Sequence, residues 1–319
     1  MLAAPWAGRR LFAAATARAV AYRVDAVIVL FGRAIFTRTG VGEGMLLHEE
    51  AGAAGAETSL RLAFAGGSFP ERARSLNRFG YFSELVKLPA GAPPEAGYFG
   101  FMTRSEEKSL SEAARSLEAS AGAVNVSAIR GEVCNGHHRA RLAVTPLAPG
   151  ARWAVWQECL AEVVRSLAQD PAGETHAGGE AHGNTFLHTV RQVLMDTRPR
   201  GETPFLYGRN PRRLVWRREA DRKAAAEFAS SRLIAAGREV VRLDAATVDD
   251  TTHRKSAFAI WYDPEARPCL PLRIELQPRS FLRLRLNALD SDPAALRADM
   301  EESFEAWRHL APVSVRAGL

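Results

Sequence analysis

The stretch "LPLRIELQPRSFLRLRLNAL" at 270–289 puts an apolar residue on every second position and a polar or charged one between them. Only extended backbone turns a period of two into two faces; a helix would scatter these leucines around its circumference. Leu270, Leu272, Ile274 and Leu276 therefore share one face, with Arg273, Glu275 and Gln277 on the other. The "QPRS" at 277–280 turns the chain, and Leu282, Leu284 and Leu286 return along the apolar face with Arg283 and Arg285 outside. The pattern predicts an antiparallel pair with one dry face and one wet face. Glu275 among the arginines favours a solvated sheet face over a dedicated anion surface.

The same alternation recurs. Strands are expected at 20–31 and 33–39 with a break at Gly32-Arg33, and at 58–64, 80–88, 97–103, 185–195 and 212–219. "EVVRLDA" and "SAFAIWYD" follow in the same style. The sharpest local signal is Asn135-Gly136, the preferred pair for a two-residue hairpin turn. That loop length sets Cys134 opposite His137, Glu132 opposite Arg139 and Ile129 opposite Leu142, with opposite charges and aliphatics matched. Helical spacing appears at 105–119, 151–169, 220–236 and 293–310, the last opened by Asp292-Pro293. These elements predict an α+β fold: a large, mainly antiparallel sheet or partly closed barrel with three to five packed helices.

The glycine-rich segment 170–184 is the best candidate boundary. It separates a β-rich half at 20–170 from an α+β half at 185–319, unless the two form one continuous domain. Residues 1–19 carry Arg9 and Arg10, then a short alanine-rich stretch and Ala17-Arg18-Ala19, the outline of a secretory leader. Arg18 sits where a cleavage site is usually neutral, so an N-terminal amphipathic helix is the alternative. The chain has 319 residues and 47% apolar composition, enough for a full core. Its net charge of +6 comes mostly from arginine spread along the chain. No apolar run approaches the roughly 20 residues that span a bilayer as a helix. Cys134, Cys159 and Cys269 form no short-spaced pair and read as small buried hydrophobes.

Four constellations carry chemistry. His176, Glu180, His182 and His188 fall within 13 residues and are metal-ligand types, but three of them sit in a glycine-rich loop and the spacing is not HExxH. Cys134 with His137 and His138 suggests a thiol–imidazole pair, which the hairpin register explains without catalysis. "AGGSFPERAR" at 65–74 faintly resembles a phosphate loop without its lysine, and reads better as a turn. The segment 198–223 holds nine basic residues against three acidic ones, and Arg209, Arg212, Arg213, Arg217 and Arg218 are its anion-binding candidates. No cofactor fingerprint is present, and no cofactor is expected.

The closing pattern "FAIWYDPEARPCLPLRIELQPRSFLRLRL" and the opening "AYRVDAVIVLFGRAIFTR" resemble the two ends of an uncharacterised family of exported bacterial β-proteins. The resemblance implies a large antiparallel sheet or partly closed barrel in the cell envelope, with no assigned catalytic residues. The helical patterns at 105–119 and 151–169 depart from it. Three functions compete. The first is a non-catalytic, exported or periplasmic β-protein that binds an apolar small molecule or packs against an envelope component. The second is a cytoplasmic basic protein that binds nucleic acid through 198–223. The third is a metal-dependent hydrolase using the loop histidines.

Overall fold

The computed structural model describes residues 16–31, 33–52, 58–68, 79–88, 95–105, 124–134, 137–147, 174–177, 185–207 and 210–290. In chain order the strands are β1 (Thr16–Leu30), β2 (Arg33–Ala51), β3 (Thr58–Ser68), β4 (Phe79–Leu88), β5 (Glu95–Ser105), β6 (Val124–Cys134), β7 (His137–Leu147) and β8 (Glu174–Ala177). Helix α1 (Phe186–Met195) follows, then β9 (Arg200–Tyr207), β10 (Asn210–Ala220) and helix α2 (Arg222–Ser230). The chain finishes its described part with β11 (Val241–Asp249), β12 (Lys255–Tyr262), β13 (Pro271–Arg279) and β14 (Leu282–Ala288).

All fourteen strands form a single sheet in the order β8-β7-β6-β5-β4-β3-β2-β1-β14-β13-β12-β11-β10-β9. Every pairing is antiparallel, and sequence neighbours pair throughout except where α1 separates β8 from β9. Two meanders are thus zipped together by β1 on β14, from Tyr22 opposite Ala288 to Ile28 opposite Leu282. Strands β8 and β9 stay at opposite edges, so the sheet is not closed. It does curl: Leu206 on β9 packs in one buried cluster with Val86 on β4, Ala96 on β5 and Val133 on β6.

The sheet buries both faces beside its helices. Along β12, Ile260 and Tyr262 point to the α1 side, where Val190, Val193, Leu194, Leu214, Trp216 and Leu243 complete the cluster. Ala259 and Trp261 point the other way, onto Ala224 and Phe228 of α2. This is period-two geometry with a helix on each side.

Several expectations need correcting. Three to five packed helices are not found: the fold is mostly antiparallel sheet, and its described residues contain two helices. The expected helices at 151–169 and 293–310 lie outside the described residues, as does 105–119 apart from Ser105, which ends β5. Residues 186–195, expected as a strand, are helix α1. Threonine and valine suggest a strand there, but Val190, Val193 and Leu194 are buried at helical spacing against the sheet, and that packing decides. The expected helix 220–236 is shorter; Asp221 caps α2 by accepting from the Ala224 amide (2.9 Å), and Ser231 ends it. Strand β2 continues to Ala51, past the expected end at 39. Glu174–Ala177, read as flexible linker, is edge strand β8 paired with β7.

The hairpin register at β6–β7 is as expected, with Cys134 opposite His137, Glu132 opposite Arg139 and Ile129 opposite Leu142. The β13–β14 pairing is also as expected, and Leu282 and Leu286 are buried, but β13 runs on to Arg279 through most of the expected 277–280 turn, and Leu276, expected on the dry face, is exposed. Two further details differ. The register shifts between Trp261 and Tyr262, and Leu272 packs with the α2 cluster instead of beside Ile274. Arg273, expected in water, is only 9% exposed. It lies beneath α2, against the Phe228 and Trp261 rings, and pairs with Glu227. Arg283 and Arg285 both pair with Glu275, at 3.3 and 2.6 Å.

Candidate functional site

The inner face of the sheet is organised around α1, and charged groups address both ends of that helix. Glu84 comes from β4, where it shares a row with Phe82 and Val86, and its side chain is fully buried. It accepts from the amides of Leu187 (2.7 Å) and His188 (2.8 Å) and from the Thr185 hydroxyl. A helix leaves its first amides unpaired and carries partial positive charge there, so a carboxylate is the natural partner. At the other end, Arg218 of β10 donates to the carbonyls of Val193 (2.5 Å) and Asp196. Its guanidinium also stacks on Trp216, 5.0 Å from the ring centre. A carboxyl group at the positive end and a cation at the negative end come from strands of opposite meanders, so α1 joins the two halves of the sheet.

Burial raises the Glu84 carboxyl to about 7, although the hydrogen bonds from Thr185, Leu187 and His188 oppose the shift. Beside it runs a polar seam. His188, on α1, is buried and pushed down to about 4, first by burial and then by the Arg191 charge. His48, on β2, is buried and lowered for the same two reasons. Arg191 donates from Nε to His48 Nε2 at 3.3 Å, so that imidazole is neutral and carries its proton on Nδ1. Arg191 also reaches Glu50 at 3.5 Å. Gln192 lies 3.1 Å from His188 Nε2. Both imidazoles are held neutral by the fold, and Glu84 is committed to the helix terminus.

The metal candidates do not assemble in the described part. His188 is inside α1, His176 lies in β8 opposite His138, and Glu180 and His182 lie outside the described residues. Among the described residues, no group of three or more His, Cys, Asp or Glu side chains is placed to hold a metal ion. Cys269 is a buried core residue whose thiol is pushed up to about 12 by burial, which keeps it from acting as a nucleophile. In the faint phosphate-loop segment, Ala65–Ser68 are residues of β3 paired with β2, and 69–74 lie outside the described residues.

The basic stretch is laced with acids. Arg212 pairs with Asp249 (3.5 Å), Arg213 with Glu202 (3.0 Å) and Asp250 (2.6 Å), and Arg217 with Asp244 (3.4 Å). Arg218 caps α1, and Arg209 lies outside the described residues. Three of the five candidates, Arg212, Arg213 and Arg217, are thus paired across strands with acids from β9, β11 and the turn after it. His48 and Glu84 escaped the sequence reading. The one signal for Glu84 is a carboxylate in the same strand row as Phe82 and Val86.

No helix among the described residues is long and apolar enough to cross a membrane. No family model matches the chain, and no curated protein matches it in sequence. Among solved structures, it is similar to the crystal structure of a β-barrel-like protein, a domain of unknown function called DUF1849, from Brucella abortus. The identity is 9%, the TM-score is 0.47, and the match covers 86% of this chain and 95% of that one.

Proposed function

We propose that the protein is a non-catalytic β-protein of the cell envelope that meets an envelope component on its outer surface. One observation carries this reading: the curled sheet packs its own helix α1 against its inner face, with Glu84 and Arg218 used as the helix caps. Buried ionisable groups are the usual raw material of catalysis. Here they are spent on holding the helix, and the two neighbouring imidazoles are held neutral. A ligand would have to displace α1 to reach that apolar face, so among the described residues the outer face beyond α2 and the rims of the sheet are the surfaces offered to a partner.

The test is fractionation of the native host with determination of the mature N-terminus. The reading expects the protein in the envelope fraction. Any leader should be cut before Thr16, because Thr16–Ala19 are the first strand residues of β1, opposite Glu50–Leu47 on β2. Recovery of the intact chain from the cytosol alone overturns the proposal.

A further inference from the structure

The β1–β2 hairpin runs past its neighbours. β14 accompanies β1 only as far as Ile28, and β3 joins β2 only from Gly42 onward. Between those points, among the described residues, no third strand pairs with the two, and all of residues 33–39 are exposed. The end of this ribbon is apolar. Leu30 is 50% exposed, Phe31 96%, Ile35 60% and Phe36 59%. Phe31 also has φ of 48°, the left-handed conformation that bulky side chains resist. A large aromatic ring here is both strained and wet, and the fold gains nothing from it. Strain retained in this way points to a use outside the folded chain.

The charge around the tip is one-sided. Arg33 and Arg38 are exposed, and no Asp or Glu occurs from Ala26 to Gly42. The ribbon beyond Val29, whose amide still bonds to the Phe281 carbonyl, extends about 7 Å at roughly 3.3 Å per residue. Interfacial anchors bury their apolar groups about 5–10 Å into the boundary between headgroups and acyl chains. A narrow convex tip with flanking cations matches that layer in depth and sign. We propose that the β1–β2 tip is a membrane-docking finger: Leu30, Phe31, Ile35 and Phe36 enter the interfacial layer of an anionic bilayer, and Arg33 and Arg38 pair with its phosphates. The choice of a lipid partner rests on the envelope reading above.

The experiment is co-sedimentation of the full chain with phosphatidylcholine vesicles, with and without about one third phosphatidylglycerol. The wild type should bind the anionic vesicles, bind the neutral ones weakly, and release as salt rises. Phe31→Ser with Phe36→Ser should weaken binding by about tenfold or more. Arg33→Gln with Arg38→Gln should weaken it on the order of thirtyfold on the anionic vesicles. All variants should melt like the wild type, since these residues lie outside the core. As a gain-of-signal check, Phe31→Trp should add quenching by brominated acyl chains. Failure of the wild type to bind anionic vesicles, unchanged binding by the variants, or no added quenching overturns the proposal, including the case where the tip fits a protein groove. Vesicle binding by a protein found only in the cytosol would sink the envelope reading and leave the finger standing. The reverse result would sink the finger alone.

Discussion

Removing the Glu84 carboxylate should release α1 from the sheet. Glu84→Ala leaves the Thr185 hydroxyl and the Leu187 and His188 amides without their acceptor in a buried place. Each buried donor left unpaired costs about 1–3 kcal/mol, and partial relaxation brings the expected total to about 3–5 kcal/mol. Glu84→Gln keeps the shape but turns an NH2 toward one of those donors, and should cost about 1–3 kcal/mol. The pH dependence gives a second handle. Glu84 is held near 7 in the fold against an ordinary 4.5, so between those values the folded state keeps a proton that the unfolded chain has lost. Its contribution is therefore present below about 4.5 and lost as pH rises through 7, with a slope of at most about 1.4 kcal/mol per unit. His188 does the opposite. It is held near 4 against 6.5, so the unfolded chain binds the extra proton and stability rises with pH across that window. The two slopes oppose one another in the wild type. Glu84→Gln should expose the histidine slope, a gain of about 3 kcal/mol from pH 4 to 6.5 at most. Urea denaturation followed by tryptophan fluorescence at pH steps from 4.5 to 7.5 measures both effects. A Glu84→Ala variant within about 1 kcal/mol of wild type, or identical pH profiles for wild type and Glu84→Gln, refutes the claim that the carboxylate pins the helix.

At the other end of α1, Arg218→Ala should cost about 1–3 kcal/mol by orphaning two carbonyls and uncovering Trp216, which equilibrium denaturation would show. Arg273→Ala should destabilise by about 2–4 kcal/mol, because Arg273 links Asn287 (2.7 Å) and Glu227 beneath α2, whereas Arg283→Ala should stay within about 0.5 kcal/mol. Equal effects of the two arginine variants would contradict the burial of Arg273. Gly131→Ala would place a methyl 2.0 Å from the fully buried Tyr98 ring, so it should cost about 1–3 kcal/mol in a thermal or urea melt.

Much of the sheet was legible in local pattern. The Leu282/Leu284/Leu286 alternation and the two-residue spacing at Asn135-Gly136 specify face and register over a few residues, because side-chain period and loop length are local properties. Helix α1 was not. Its Thr and Val content suits a strand, and only the apolar surface of β9–β12 makes the helical stripe the better burial. The site was least legible of all. Nothing near Glu84 in sequence shows that its partners lie 101 to 104 residues away, on the first turn of α1. The basic stretch is similar: the sequence leaves open that acids elsewhere in the fold balance it, but does not show that they arrive from β9, β11 and the following turn. The apolar β1–β2 tip was visible as residues but not as a protrusion, which depends on where β3 and β14 stop pairing. The sequence by itself determined the β6–β7 and β13–β14 pairings and the dry face of β14, because these follow from side-chain spacing and loop length alone. The tertiary structure decided which charges meet and which apolar residues stay wet, because these follow from the curl of the sheet and the lengths of its neighbouring strands.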